Sequence, residues 1–221
     1  MSEPRFFTPD YVERALLRDG TPIRIRLVAP GDKELLRRGL ERLSPESRYA
    51  RFLGTKQTLS DDELRYLTEI DQETHFAIGA VREDGHHEPV GIGIARFIKL
   101  ADPPATAEAA ITVSDEAQGR GLGKLLFQRL CAAAAERGIE RFRCEVLGSN
   151  TGMAAMLAKI APDRTIKISE GVMTIDLALP SVTPTATVTD PAPPGPMYQL
   201  FRAAAENAIE WTDAVRRLWR R

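Results

Sequence analysis

Residues 118–124 of this 221-residue chain read Gln-Gly-Arg-Gly-Leu-Gly-Lys. They lie between TAEAAITV at 106–113, which has the two-residue period of a strand, and a leucine- and alanine-rich stretch at 122–137 that is typical of a helix. Three glycines at alternate positions permit a tight turn, positive φ angles and close approach of a ligand to the backbone. Because the loop opens into a helix, its unpaired amides and the helix dipole favour an anion. The stretch therefore predicts a strand–loop–helix unit that binds phosphate.

Two common phosphate motifs do not fit this loop. A P-loop requires glycine where Gln118 stands and a hydroxyl residue where Leu125 stands. A dinucleotide-binding fingerprint requires glycine at Lys124 and a parallel strand–helix–strand unit. The pattern that fits is Gln or Arg, two residues, Gly, one residue, then Gly or Ala, and it is met by Gln118, Gly121 and Gly123. In this pattern the chain resembles the acetyl-CoA-binding signature of the GNAT superfamily of N-acetyltransferases.

Outward from the loop, periods of two and of 3.6 residues alternate along residues 21–179. The sequence predicts an α+β domain in which helices flank a mixed, mainly antiparallel, twisted sheet of about six to seven strands, and the resemblance implies that this is the GNAT fold. Strands are predicted at 21–28, 75–81, 90–100, 106–113, 141–146, 165–169 and 172–177, and helices from Asp32, Ser44 and Ser60 to about residue 70, at 122–137 and at 150–160.

The carboxyl-terminal part differs in composition from the rest of the chain. Residues 180–196 hold six prolines in seventeen residues, which predicts an extended linker. Residues 197–221 space their apolar side chains three and four apart, which predicts an amphipathic helix. Such a helix can fold back on its own domain, join two copies as a homodimer, dock on another protein or lie on a membrane surface. The predicted order is thus an N-terminal extension at 1–20, a GNAT acetyltransferase domain at 21–179, the linker and the C-terminal helix.

The amino-acid composition indicates which partners and which cellular compartment are expected. Lysine and arginine total 30 and aspartate and glutamate 31, so no overall charge attracts nucleic acid or an anionic membrane, and neither is expected as a partner. Cys131 and Cys144 form no disulfide framework, and no apolar run is long enough to span a membrane. These features favour a cytoplasmic protein. His86 and His87 lie far along the chain from both cysteines, so no metal site is predicted.

The resemblance covers residues 21–178 and implies acetyl-CoA as the co-substrate, with no metal. It implies that the backbone from Ile111 to Val113 pairs with the pantetheine arm and that Asn150 reaches this arm from the other side. Two plainer interpretations stay open: Asn150 as the N-cap of the following helix, and the glycines as a tight turn. The residues that the resemblance assigns to the pyrophosphate are Gln118, Gly119, Arg120, Gly121, Leu122, Gly123 and Lys124.

Acyl transfer to an amine requires a base, because a lysine with a reference pKa of about 10.4 is almost wholly protonated at neutral pH. Glu108 is the candidate, since it is an ionisable residue on a strand of otherwise small or apolar residues, about 17 Å from Val113 at the strand's end. The resemblance agrees, because several lysine acetyltransferases keep their base on an Ala-Glu pair at this place. The alternatives are an ordinary surface ion pair for Glu108, Glu145 as the base, or His75 as a proton shuttle.

Many GNAT enzymes carry a tyrosine acid where this chain has Leu157, so no residue is assigned to protonate the leaving thiolate. The stretches ERLSPESRYARFLG at 41–54, LSDDELRYLTEID at 59–71 and HFAIGAV at 75–81 are similar to bacterial Pat-type protein lysine acetyltransferases. This resemblance implies a protein lysine as the acceptor. A small-molecule amine remains the second acceptor, and an acyl-CoA-binding protein without turnover remains the alternative to an enzyme.

Overall fold

The computed structural model describes residues 5–52, 57–82, 89–161 and 163–179, which contain eight strands, five α-helices and two short 3-10 turns. The predicted linker and C-terminal helix, together with His86 and His87, lie outside the described residues. The elements are β1 (Val12–Leu16), β2 (Pro22–Leu27), α1 (Lys33–Glu41), α2 (Pro45–Phe52), α3 (Asp61–Thr68), β3 (His75–Arg82), β4 (Val90–Lys99), β5 (Thr106–Val113), α4 (Leu122–Ala135), β6 (Arg141–Leu147), α5 (Thr151–Ile160), β7 (Thr165–Ser169) and β8 (Val172–Ala178).

All eight strands form one sheet in the order β1-β2-β3-β4-β5-β6-β8-β7. Neighbouring strands run antiparallel except β5 and β6, which run parallel. The parallel pair is short, since it joins residues 106–108 to residues 141–143. Beyond that point β5 and β6 no longer pair with each other. The predicted α+β class and the mixed, mainly antiparallel sheet are confirmed, with eight strands in place of six or seven.

No strand is predicted before residue 21, so β1 is absent from the sequence-based prediction. The reason is an inverted pattern, because Val12 and Leu16 are 55% and 71% exposed whereas Glu13 is only 7% exposed. Glu13 is accepted inside the protein because Arg129 of α4 donates two hydrogen bonds to its carboxylate, at 2.5 and 3.0 Å. An apolar-out, acid-in strand is not recognisable from hydrophobic alternation alone.

Helix α4 packs against β3, β4 and β5 on one face of the sheet, and α1, α2 and α3 cover the other face. Gly93 of β4 permits the close approach of α4, since a Cβ atom there would lie 2.9 Å from Leu126 and 3.0 Å from Leu122. Arg96, an odd number of residues along the same strand, points the other way and donates to the carbonyl of Leu67 in α3. The sheet therefore separates two layers, and the two cavities described below lie beside it.

The other predicted elements agree with the structure to within one or two residues. At α3, Ser60 forms the expected cap: its hydroxyl accepts from the Glu63 amide at 3.3 Å, and the Glu63 carboxylate accepts from the Ser60 amide at 2.9 Å. In the stretches of chain that the structure describes, none of the helices combines the length and the apolar character needed to cross a bilayer.

Candidate active site

The glycine loop turns sharply between the end of β5 and the start of α4. Gly119 and Gly121 have φ angles of 71° and 92°, a region of backbone conformation that favours glycine. The first helical hydrogen bond runs from the Leu125 amide to the Gly121 carbonyl at 3.1 Å. The amides of Leu122 and Gly123 precede that bond, so they stand at the positive end of a 14-residue helix. The loop thus presents backbone donors and a favourable dipole to an anion.

Gln118 fixes this loop to its surroundings. Its side-chain nitrogen, Nε2, donates to the Val113 carbonyl at 3.2 Å and to the Ser47 hydroxyl of α2 at 3.2 Å. Asp115 continues the link, because its carboxylate accepts from the Ser44 amide at 2.8 Å and from the Ser47 hydroxyl at 2.7 Å. The glycine loop and helix α2 are therefore held together by these hydrogen bonds.

Two basic residues near the loop were not predicted from the sequence. Arg18 lies in the β1–β2 turn; its amide donates to the Arg120 carbonyl at 3.2 Å, and its Nε would lie 3.4 Å from a Cβ on Gly121. The pKa of Lys124 is lowered by burial and by the nearby charges of Arg18 and Lys159. Arg18 and Lys159 therefore lie close enough to Lys124, at the start of α4, for their charges to act on it. The Asp-Gly pair that follows Arg18 is a hairpin-turn signal, but nothing in the sequence indicates that this turn reaches the loop.

A cavity of about 260 Å³ opens where β5 and β6 separate. Ile111 lines it from β5, while Val113 lies further along the strand and faces Gly123 of the loop, 3.7 Å from the position of a Cβ there. Residues from β6, α2, α4 and α5, with the N-cap residue of α5, complete the wall. The lining consists of Ala50, Arg51, Phe52, Glu108, Ala109, Ala110, Ile111, Phe127, Cys144, Glu145, Val146, Asn150, Met153 and Leu157.

Two carboxylates line this cavity. Glu108 is the last β5 residue paired with β6, opposite Arg143, and its side chain is exposed at the point where the strands diverge. Glu145 lies on β6 and is also exposed. The charge of Glu108 acts on Arg51 of α2, whose guanidinium pKa is lowered by burial and raised in part by Glu108. The structure thus brings both candidate bases to one cavity, with Glu108 at its narrow end.

His75, the third candidate for proton transfer, lies away from this cavity. Its ring contacts the Arg96 guanidinium at 3.0 Å and lies 5.1 Å from the Tyr66 ring. Burial and the Arg96 charge lower the pKa of His75 to about 4, so the imidazole is neutral at pH 7. His75 is part of the layer between α3 and the sheet and does not reach the reacting groups.

Asn150 and Leu157 line the cavity from α5. The Asn150 side-chain oxygen accepts from the Met153 amide at 3.0 Å, so Asn150 is the N-cap of α5. The same residue also lines the cavity. Leu157 is buried and offers no proton. The Cys144 thiol also lines the cavity, and its pKa is raised to about 12 by burial and by the charges of Asp176 and Glu108. That thiol stays protonated at neutral pH and is a poor nucleophile.

Comparison with known proteins agrees with this geometry. Residues 40–161 match the model of the acetyltransferase (GNAT) family. The chain is 35% identical over 155 residues to acetyltransferase Pat of Mycolicibacterium smegmatis, covering 70% of this chain and 44% of that protein. It is 33% identical over 138 residues to acetyltransferase PA5475 of Pseudomonas aeruginosa, covering 62% of this chain and 73% of the relative. The chain thus spans less than half the length of the mycolicibacterial relative.

A solved structure extends the comparison to the fold. The GNAT domain of S. lividans PAT superposes with a TM-score of 0.67 at 29% identity, and the match covers 76% of this chain and 97% of that domain. The mixed sheet with its opened parallel pair and the glycine loop at a helix start define an acetyltransferase-type domain. The chain belongs to the GNAT acetyltransferase family.

Proposed function

We propose that this protein transfers the acetyl group of acetyl-CoA to the side-chain amine of a protein lysine. The observation that carries the proposal is the position of Glu108, a carboxylate at the narrow end of the cleft between β5 and β6. The phosphate loop lies at the far end of β5, about 17 Å away at the rise of a strand. This separation suits a co-substrate with phosphates at one end and a thioester at the other.

The described residues have complementary roles in binding. The amides at the start of α4, with Arg18, Lys124 and Lys159 around them, favour the pyrophosphate and the other phosphate of CoA. The β5 backbone from residue 109 to residue 113 has no strand partner on the β6 side, so its polar groups are available to the amide-bearing pantetheine arm. The residues present therefore fit acetyl-CoA without any rearrangement of the sheet.

In the reaction the acceptor nitrogen forms a bond to the thioester carbonyl carbon while the carbon–sulfur bond breaks. Glu108 takes the proton that the amine loses, directly or through a water molecule. The thiolate leaves as such or takes a proton from water, because Leu157 supplies none; a free thiol pKa near 8.5 makes it a tolerable leaving group. In this scheme the loop and Asn150 bind and orient acetyl-CoA, and Glu108 deprotonates the amine. No covalent intermediate with the enzyme forms.

The protein-lysine acceptor rests on the resemblance of the stretches at 41–54 and 59–71 to Pat-type protein lysine acetyltransferases. Much of the first stretch forms α2 and most of the second forms α3, and α2 contributes Arg51 to the wall of the cavity that holds Glu108. One of the two stretches therefore contributes to the wall beside the proposed base. This supports an acceptor preference shared with that group.

The test is CoA release from acetyl-CoA by the purified protein, with lysine peptides, a fractionated lysate and a panel of small amines as acceptors. Mass spectrometry then identifies the modified residue. We expect CoA release that depends on peptide or lysate and acetylation at the lysine Nζ. Release with small amines alone would replace the protein acceptor by a small molecule, and tight acetyl-CoA binding without release from any acceptor would refute the enzymatic proposal.

A further inference from the structure

A second cavity, of about 120 Å³, lies between the helices α1 to α3 and the sheet. Its volume exceeds several-fold the roughly 10 to 15 Å³ that a single water molecule requires. Most of its wall is apolar, formed by side chains such as those of Leu36, Leu40, Leu43, Phe52 and Ile92. The sequence motifs do not point to this cavity, and the reaction proposed above does not use it.

The charges in its wall do not balance. Three arginines, Arg26, Arg51 and Arg96, and one aspartate, Asp32, line it. Arg26 neutralises Asp32 through two hydrogen bonds at 2.5 and 2.7 Å. Arg51 and Arg96 are left, and both remain charged at neutral pH because guanidinium groups are not deprotonated in proteins. The cavity therefore holds two positive charges in excess of its acidic residues.

Neither of these two arginines has a carboxylate as hydrogen-bond partner in the described part of the chain. Arg96 is 5% exposed, and its partners are the Leu67 carbonyl at 3.4 Å and the neutral His75 ring at 3.0 Å. Arg51 lies over the Phe52 ring, with its guanidinium carbon 5.1 Å from the ring centroid. Buried cations are ordinarily paired with an anion, so this arrangement favours an anion from outside the protein.

Two buried hydroxyls in the same wall also lack partners. The Thr112 and Ser114 side-chain oxygens are inaccessible to solvent, and neither has a hydrogen-bond partner among the described residues. Ser114 as a whole is 6% exposed. Buried hydroxyls without partners are uncommon, because each has lost its hydrogen bonds to water. Both residues belong to the same wall as Arg51 and Arg96.

The second cavity adjoins the candidate base. Glu108 pairs with Ile98 across β4 and β5, and Arg96 is two residues from Ile98 on the same face, which puts the Cα atoms of Glu108 and Arg96 about 7 to 8 Å apart. Arg51 lines both cavities, and the charge of Glu108 acts on it. In a peptide whose lysine amine lies at Glu108, a side chain one or two residues from that lysine could therefore reach an anion site between Arg51 and Arg96.

We propose that Arg51 and Arg96 form an acceptor subsite for a carboxylate, so that the protein selects lysines with a neighbouring aspartate or glutamate. The methylene groups of the acidic side chain lie against the leucine wall, and its carboxylate accepts from the two guanidinium groups. This inference rests on the proposed function, since it assumes that an amine reacts beside Glu108. The subsite specifies which residue stands near the acceptor lysine, whereas the family resemblance implies only a lysine.

The test compares two peptides that differ only at one position near the lysine, glutamate in one and glutamine in the other. For the unmodified protein we expect kcat/KM to be about 10- to 100-fold higher for the glutamate peptide, as for a hydrogen bond to a charged group. We expect Arg51→Gln to bring this ratio close to one. Arg48→Gln, one turn earlier on α2 and in neither cavity wall, is the matched control and should preserve the ratio.

Arg51 is used because it is half-buried, whereas replacing the fully buried Arg96 risks misfolding. Binding of the same two peptides with acetyl-lysine, measured by fluorescence anisotropy in the presence of CoA, gives a readout that needs no turnover. It should show the same preference and the same loss in Arg51→Gln. Thermal melting and acetyl-CoA affinity report on folding in each variant.

The outcomes separate this inference from the proposed function. Equal kcat/KM for both peptides would overturn the carboxylate subsite while leaving lysine acetylation intact. No acetylation of either peptide or of any lysate protein, with acetyl-CoA still bound, would overturn the function itself. A preference for γ-aminobutyrate over butylamine, without any peptide preference, would identify a small molecule as the source of the carboxylate and refute the protein version.

Discussion

The role proposed for Glu108 depends on the surroundings of this residue. Alternation along β5 places it on one face of the strand, but many strand-end glutamates are surface residues. The structure adds that β5 and β6 separate at this residue and that the resulting cleft extends along β5 in the direction of the glycine loop. Glu145 lines the same cleft from β6, which provides an internal comparison.

Replacing Glu108 by Gln should lower kcat about 100-fold or more, because the amide cannot accept the proton from the attacking amine. The affinity for acetyl-CoA should change little, since the phosphates bind at the other end of β5. Steady-state kinetics and calorimetric titration with acetyl-CoA measure the two quantities. Glu145→Gln is the control and should stay within a few-fold of the unmodified enzyme; wild-type turnover in Glu108→Gln would instead remove the assignment.

Gly121→Glu should abolish acetyl-CoA binding, with a loss of affinity of at least about 100-fold. The new side chain brings a negative charge to the anion site, and its Cβ would lie 3.4 Å from Arg18 Nε at a φ of 92°. Gly138→Glu is the matched control, because Gly138 also has a positive φ, 70°, but lies at the other end of α4 with open space around it.

Both substitutions strain the backbone by about 1 to 2 kcal/mol, so both should lower thermal stability. Calorimetric titration should show that Gly138→Glu alone keeps the affinity for acetyl-CoA. If the two variants bind acetyl-CoA equally well, the loop is a structural turn and not a phosphate site.

At the scale of elements, β5, α4 and the glycine loop were predictable because their signals are local. The two-residue alternation at 106–113 and the glycine spacing depend only on neighbours in the chain. The same holds for the cap at Ser60. β1 was not predictable, because its buried residue is Glu13, and the arginine that makes this tolerable comes from α4, more than a hundred residues later. Arg18 likewise has no local signal, because the loop that it contacts begins a hundred residues later.

The ion pair that joins β1 to α4 should be costly to break from one side. Arg129 is 1% exposed and Glu13 is 7% exposed, and the Tyr11 hydroxyl also donates to Glu13. Burial and the Glu13 charge raise the pKa of Tyr11, so the phenol stays protonated as the donor. Removing Arg129 leaves the buried Glu13 carboxylate without this counter-charge.

Arg129→Met should therefore lower the free energy of unfolding by about 3 to 5 kcal/mol, measured by urea denaturation. The double variant Glu13→Leu with Arg129→Met should recover most of that loss, because no unpaired charge remains. Equal stability of the single and double variants would show that the cost comes from lost packing around the arginine stem.

For the molecule as a whole, we propose that the folded acetyltransferase domain ends near residue 179, before the linker at 180–196 and the amphipathic helix at 197–221. Leu179 is 7% exposed, and its amide donates to the Glu140 carbonyl at 2.6 Å, so the chain is still packed at this residue. β8 lies between β6 and β7, which makes it an internal strand.

A protein shortened to residues 1–179 should melt within about 3 °C of the full chain, because every described core contact is retained. A protein shortened to residues 1–171, which lacks β8, should not fold, since β6 and β7 lose their common partner. Circular dichroism melts of the three lengths measure this. A large loss of stability at 1–179 would show that residues 180–221 contribute to the core, in agreement with the folded-back alternative for the tail.

The short parallel ladder between β5 and β6 also divides the sheet. β1 to β5 are consecutive antiparallel strands, and β6, β8 and β7 form a second antiparallel group; three register pairs connect the two groups within the sheet. Hydrogen exchange should therefore reveal two cooperative units that open separately, with the earliest exchange along the seam. A co-substrate lying in that seam would act as a removable strand, and binding it would make the two units exchange as one.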